Sequence, residues 1–473
     1  MHSALPTPFA AMFDVLASTT GLSEPILRLL TGLLLGYPAA FGYRHIVYGS
    51  KINRLTYLLV TGLSIAYIFC QTDLKYSLIS VFYTWLVCYI FQSARLMALV
   101  LSFGGNFGFL LYTYLNEASD GYDLNWTTCQ SVLCLRLIGF AFDFYDGQNK
   151  TYQGSSNGSL PWLGDISLKQ LPNIIELYAY CYFFSGFLVG PLFSFTHFQK
   201  FLNNDFLLEA KKKNLDQAFW DNAYTYAKSC FLYGVVYLAF SQVLIVLYSE
   251  NVVLDKTYLE SSLFRKYWYL FWCGKRAFTK YFGIWKLNEG PCALAGLSFN
   301  GFEKETPKMD GLCNIKPLVL EKATNLADCI ASFNINTNQW SKLYIFKRLR
   351  FLNNKNLSGL GTLMFLAIWH GFHIGYYITF LFEFLVMGSE AHFMRITKGY
   401  TNHKIGSALG WLHTHLFLYF PTVAFDLLSM KKIHIAYGAV YWVPWIMVVV
   451  GFFGLPLVPS LKSIRKEKEI KIQ

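Results

Sequence analysis

The stretch N-L-S-G-L-G-T-L-M-F-L-A-I-W-H-G-F-H-I-G-Y-Y-I-T-F-L-F-E-F-L-V-M, from Asn356 to Met387, decides how this chain reads. It is nearly all apolar, it has no proline, and two histidines, His370 and His373, sit in its middle. At about 1.5 Å of rise per residue, a single helix from Leu357 to Met387 would be about 45 Å long. That exceeds the roughly 30 Å hydrocarbon core of a bilayer, so the stretch is expected to cross it with some tilt. His370 would then lie roughly 20 Å from the helix start, far from either interface. An ionisable side chain at that depth is costly unless it faces a cavity or a partner, which makes His370 the leading candidate functional residue.

The rest of the chain agrees with a membrane reading. Of 473 residues, 54% are hydrophobic and 18% aromatic, and only 14% are charged, against about 25% in soluble proteins. The apolar residues come in blocks long enough to span, at about Pro25–Tyr43, Leu55–Cys70, Tyr76–Phe91, Leu96–Leu115, Cys129–Phe144, Leu171–Phe195, Tyr224–Leu247, Leu409–Leu428 and Ala436–Val458. The expected fold is all-α, a polytopic transmembrane helical bundle of ten or eleven spans. It forms a single integral-membrane domain over residues 1–473, with a short lead (1–23) and a basic tail (460–473). No removable signal peptide is read in the first 20 residues. The net charge of +12 comes without a nucleic-acid-binding motif, and the cations lie between apolar runs. Membrane lipid headgroups or a phosphate-bearing co-substrate are therefore the expected partners, and nucleic acid is not.

Several local features carry expectations of their own. Gly104, Gly105 and Gly108 suit close helix approach. Arg136 and Asp143, seven residues apart, share a helix face and are candidate partners. Gly190-Pro191 should kink or break its helix. Asn149 and Asn157 head glycosylation sequons in a Gly/Ser/Asn-rich loop that is lumenal if Lys211, Lys212 and Lys213 are cytosolic. Arg265, Lys266, Lys275, Arg276 and Lys280 interrupt an aromatic stretch that suits an interface or the bundle interior. The ten cysteines form no C-x-x-C pair, and a disulfide among Cys292, Cys313 and Cys329 is left open. His413 and His415 point apart at i,i+2, so no metal site is expected and an interfacial role is read instead.

Just before the central stretch stands F-N-I-N-T-N-Q-W, Phe333–Trp340, followed by the basic strip Lys342, Lys347, Arg348 and Arg350 interleaved with aromatics. Read as a helix, Asn334, Thr337, Asn338 and Lys342 fall near one face. The strip suits either a positive-inside signal or a phosphate-bearing ligand. Together with W-H-G-F-H at Trp369–His373, F-L-V-G-P-L-F-S at Phe187–Ser194 and L-P-N-I-I-E at Leu171–Glu176, the segment resembles the membrane-bound O-acyltransferases, in particular the lysophosphatidylcholine acyltransferase branch. The likeness runs over roughly residues 37–458, and the separation of Asn334 and His370 (370 − 334 = 36) matches that branch.

The resemblance implies acyl transfer from acyl-CoA, as co-substrate with no permanently bound cofactor, to the sn-2 hydroxyl of a lysophospholipid. The acyl group would be polyunsaturated, and the reaction would occur in a buried chamber of an endoplasmic reticulum membrane protein. It implies His370 and Asn334 as the catalytic pair. Asn338, Trp340, Trp369, His373, Lys347 and Arg348 are the candidate substrate-binding residues. Packing roles are open for Asn338 and the two tryptophans, and cross-helix bonding for His373. Another acceptor (lysophosphatidylinositol, a sterol or a protein), a His-relay transporter and a homodimer also stay open. The sequence ends in I-K-I-Q, where similar vertebrate proteins end in what look like dilysine retrieval signals, a departure from the resemblance that leaves the retention mechanism open.

Independent of the resemblance, a neutral imidazole can accept a hydroxyl proton as general base, contributing typically about 10²–10⁴-fold. An asparagine amide can orient the nucleophile or donate to a developing oxyanion.

Overall fold

Long apolar runs fold here as helices, several with a proline inside them, such as Pro38, Pro291 and Pro421. The structure, a computed structural model, describes residues 10–117, 124–148, 166–397 and 404–458. Its helices in chain order are α1 (Ala10–Thr20), α2 (Glu24–Ile46), α3 (Lys51–Cys70), α4 (Leu74–Ile90), α5 (Arg95–Glu117), α6 (Trp126–Asp146), α7 (Ile174–Cys181), α8 (Phe195–Leu202), α9 (Asp205–Lys212) and α10 (Asp216–Leu247). There follow α11 (Lys256–Leu259), α12 (Leu263–Leu294), α13 (Pro317–Lys322), α14 (Leu326–Ser332), α15 (Ile335–Ser341), α16 (Lys355–His370), α17 (Ile374–Thr397), α18 (Lys404–Leu427), α19 (Met430–Gly438) and α20 (Val443–Gly454). A two-residue hairpin, β1 (Phe302–Glu303) with β2 (Thr306–Pro307), is the one sheet among the described residues. The sequons at Asn149 and Asn157 and the tail 460–473 lie outside the described residues.

The described residues form two compact units. One takes those up to residue 117 with 124–236 and 283–314; the other takes 237–282 and 315–458. Among them, four segments are long and apolar enough to cross a membrane: Glu24–Ile46, Lys51–Ile90, Arg95–Glu117 and Asp216–Leu254. A fifth is added if the bent pair α19 and α20 counts as one span.

In the first unit, α4, α5 and α6 pack together, tied by buried side-chain hydrogen bonds. Asn106 donates to Thr84 Oγ1 at 2.8 Å and Gln130 donates to Ser80 Oγ at 3.0 Å. Of the three glycines expected at a close approach only Gly105 makes one, against the Tyr83 ring; Gly104 and Gly108 face open space. The expected span Leu171–Phe195 is not a helix throughout. It is helical only over α7, then turns through Gly186 and Gly190 to α8. The carbonyls freed by those turns are collected by Arg136. Its guanidinium donates to Tyr180 O (2.8 Å), Cys181 O (3.2 Å), Gly186 O (2.8 Å) and Pro191 O (3.0 Å). The expected pairing of Arg136 with Asp143 therefore does not form. At two turns' separation the carboxylate is out of reach, and four carbonyls need the donor more.

In the second unit α17 packs against α16, α18 and α20. Its core includes Phe382, Leu385, Val386, Phe417, Phe420, Ile433 and Tyr437. The expected span Ala436–Val458 is broken: α19 and α20 meet at 91°, with Tyr441 and Trp442 in the left-handed region between them. The central stretch is likewise two helices rather than one, because α16 ends at His370 and α17 begins at Ile374. None of the ten cysteines forms a disulfide, and all are buried.

Candidate active site

Asn334 stands at the N-terminus of α15 in the left-handed region, with φ +48° and ψ +43°. Asparagine tolerates that region better than most residues, so the type suits the turn. The turn is held from both sides. Phe333 before it pairs with Ile315 and lays its ring on Phe278 at 4.3 Å. After it, the Asn338 backbone N–H donates to Asn334 O at 3.0 Å. The Asn338 side-chain amide folds back, donating to Phe333 O (2.9 Å) and Ile330 O (3.2 Å). The donor end of Asn338, a candidate substrate contact, is therefore committed to shaping the turn that presents Asn334. The Asn334 amide itself is half-buried and makes no side-chain hydrogen bond among the described residues. Of the residues expected on one helix face, Thr337 and Asn338 lie within α15, Lys342 directly follows it, and Asn334 is its N-cap.

Trp340 is buried and stacks on Phe365 of α16, with ring centroids 5.8 Å apart and planes at 21°. That stack joins the asparagine-bearing helix to the histidine-bearing one. A π-helical turn over Lys342–Phe346 and a 3-10 turn over Arg348–Leu352 lead from α15 into α16. Asn354 Oδ1 caps α16 by accepting from Asn356 N (3.0 Å) and Leu357 N (3.1 Å). Lys342 and Arg350 are exposed in this turn, while Lys347 and Arg348 are half-buried. Burial first, then the like charges of Lys342, Arg350 and Arg348, pulls the Lys347 ammonium below its ordinary value. The strip is thus a concentration of positive charge that an anion would relieve.

His370 is the last residue of α16. Four aromatic rings surround it: Trp369 at 4.6 Å, Phe425 at 5.0 Å, Phe380 at 5.5 Å and Tyr376 at 5.6 Å. The imidazole makes no hydrogen bond among the described residues. Gly371 follows with φ +124°, a conformation that L side chains rarely adopt. After the turn, the Gly375 N–H donates to Leu428 O at 3.0 Å, and a Cβ at Gly375 would collide with the Ala424 carbonyl. This contact brings the end of α18, and with it Phe425, onto the imidazole. Phe384 of α17 lies 3.9 Å from where a Cβ of Gly359 in α16 would sit. Gly359 is 12 residues before Gly371 and Phe384 is 11 after His373 (371 − 359; 384 − 373), so the helices fold back along one another. The histidine sits at the tip of this helical hairpin. α16, at 16 residues, is about 24 Å long, short of the roughly 30 Å hydrocarbon core.

The MBOAT, membrane-bound O-acyltransferase family model matches residues 109–430. The chain belongs to this family. Curated relatives match over nearly the whole chain. "Lysophospholipid acyltransferase 5" of Bos taurus is 34% identical, over 97% of this chain and 94% of that protein. The proteins of the same name from Homo sapiens, 33% identical over 97% and 94%, and Drosophila melanogaster, 31% over 94% and 88%, are similar to the same extent. The chain is thus an acyltransferase, in keeping with the resemblance read from its motifs, and a membrane protein by family and by its apolar helices.

Within this acyltransferase the candidate residues divide by setting. Trp369 is buried beside the His370 ring, while His373 lies beyond the turn and touches Tyr376 at 5.8 Å. His415 is buried rather than interfacial. Its two ring nitrogens face Trp411 O (2.9 Å) and Leu320 O (3.2 Å), and the ring stacks on Trp411. Tyr376, Phe380 and Phe425 escape a motif reading although they wall the imidazole. The first two carry a signal at i,i+4 once the break at Gly371 is recognised. Phe425 has none, since only the α17–α18 packing delivers it.

Proposed function

We propose that the protein transfers an acyl group from acyl-CoA to the free sn-2 hydroxyl of a lysophospholipid, with lysophosphatidylcholine as the leading acceptor and a polyunsaturated chain as the leading acyl group. What supports this reading is the ring-walled imidazole of His370, in a chain whose curated relatives are named lysophospholipid acyltransferases. His370 acts as general base, removing the hydroxyl proton as the oxygen attacks the thioester carbonyl. The Asn334 amide, unpartnered among the described side chains, donates to the oxyanion or orients the hydroxyl. The new C–O bond replaces the C–S bond, and the proton held by His370 returns to the departing CoA sulfur. Aromatic walls limit water at the thioester and thereby its hydrolysis. Lys347 and Arg348 take the phosphates of acyl-CoA. Trp340 and Trp369 belong to the wall of a chamber within a bundle of about eleven spans in the endoplasmic reticulum membrane, and His373 contributes at its turn.

The test is CoA release by purified protein supplied with acyl-CoA and lysophosphatidylcholine, alongside lysophosphatidylinositol, a sterol and a peptide acceptor. Lysophospholipid-dependent release, lost in His370→Ala and strongly reduced in Asn334→Ala, is expected. Release by none of the lysophospholipids, or full activity in His370→Ala, overturns the reading.

A further inference from the structure

Glu383 lies ten residues into α17 (383 − 373), in a run that is otherwise apolar from Ile378 to Met387 apart from Thr379. It is half-buried and makes no hydrogen bond or ion pair among the described residues. The other half-buried or buried acids of this unit each have a partner: Glu321 has Lys275, Asp426 has Arg276 and Lys280, and Glu390 accepts from the Leu326 N–H. A carboxyl in a membrane helix is costly without a partner and marks function by default. Its position says where the partner would come from. At 3.6 residues per turn, Tyr376, Phe380 and Glu383 fall within about 60° of one another on α17. Tyr376 and Phe380 both pack on the His370 ring. The buried neighbours Phe382, Leu385 and Val386 turn to the hydrophobic core instead. The stripe that walls the imidazole therefore ends, one turn beyond Phe380, in a carboxyl the chain leaves unmatched.

We infer that Glu383 is a specificity-determining residue that takes the headgroup cation of the acceptor, an ammonium or quaternary ammonium, beside the aromatic rings of the His370 site. The inference rests on the lysophospholipid reading above. An ammonium suits this place on two counts: a carboxylate supplies the opposite charge, and ring faces attract cations with displaced hydration. Binding the cation about two turns from Tyr376 holds the glycerol end of the same molecule toward His370. An acceptor without a cation gains nothing from Glu383, and its carboxylate repels an anionic headgroup.

The experiment is steady-state kinetics of the full-length protein and its near-isosteric variant Glu383→Gln, with lysophosphatidylcholine and acyl-CoA varied separately. The expected result is a roughly tenfold or larger rise in KM for lysophosphatidylcholine, from the loss of one charge–charge contact in a partly dry site. The KM for acyl-CoA and kcat should stay within about twofold of wild type. Glu383→Asp, which keeps the charge on a shorter stem, should recover part of the loss. An unchanged KM for lysophosphatidylcholine, a parallel rise in both KM values, or a fall in kcat alone overturns the assignment, because a structural or purely neutral carboxyl gives one of these. If wild-type protein acylates no lysophospholipid, the functional reading fails and this inference falls with it. Wild-type activity with an indifferent Glu383→Gln refutes the inference alone.

Discussion

Gly375→Ala should uncouple the two halves of the His370 wall. A Cβ built at Gly375 lies 3.1 Å from the Ala424 carbonyl carbon and 3.1 Å from Leu428 Cα, and closer still to the Ala424 carbonyl oxygen. Carbon atoms prefer about 3.5–4.0 Å. These neighbours are backbone atoms, so no rotamer change relieves the clash. α17 and the end of α18 must separate by on the order of 1 Å, which strains the Gly375 N–H to Leu428 O bond and draws Phe425 off the imidazole. Overpacking of this kind costs about 1–3 kcal/mol, and a 1 Å misplacement of a catalytic group costs roughly 10²-fold in rate. Gly359→Ala is the control on the same hairpin. The nearest atom to its Cβ is Phe384 Cε2 at 3.9 Å, an ordinary contact, and alanine gains up to about 1 kcal/mol of helix propensity there. CoA release and thermal unfolding, measured in parallel on both variants, check this. Wild-type kcat in Gly375→Ala, or equal losses in the two variants, would show that the glycine contact does not position the site.

Other outcomes follow from individual contacts. Asn338→Asp puts a carboxylate against the Ile330 and Phe333 carbonyls in place of a donor. It should lower kcat more than Asn338→Ala, which costs about 1–3 kcal/mol for the unmade bonds; CoA-release kinetics and melting of both variants decide. Arg136→Met strands four buried carbonyls, a loss of about 3–5 kcal/mol by analogy with breaking a buried charge network. It should be read as a collapse in folded yield by gel filtration, with Arg136→Lys intermediate. The double variant Lys347→Gln/Arg348→Gln should raise KM for acyl-CoA at least about tenfold while leaving KM for lysophosphatidylcholine unchanged. The acyl-CoA KM of the wild type should rise more steeply with salt than that of the variant.

The two residues proposed for chemistry were legible in the chain because their signals are local. A histidine inside an apolar run is conspicuous on solvation grounds alone, and the Asn334 and His370 segments are contiguous motifs. Continuous apolar helices such as α2, α3, α5 and α6 were legible for the same reason: uninterrupted backbone bonding within one run needs no help from elsewhere. Breaks were harder. Gly190-Pro191 announced one, but the helix already ends at Cys181, and the carbonyls left there are satisfied by Arg136, 45 residues away (181 − 136). The interruption at Gly371 is silent in hydropathy, since a turn lined with aromatics is as apolar as the helix it divides.

Composition and periodicity by themselves determined a helical membrane chain and marked His370, because the cost of an ionisable group in lipid depends only on the residues around it in sequence. Tertiary structure alone decided that the histidine sits at a hairpin tip. It also decided that Phe425 arrives from α18 to close the wall, and that the α17 face carrying Tyr376 and Phe380 is the one laid on the imidazole. Each of these depends on which backbone can approach which, and close approach between distant segments leaves no trace in the order of the residues.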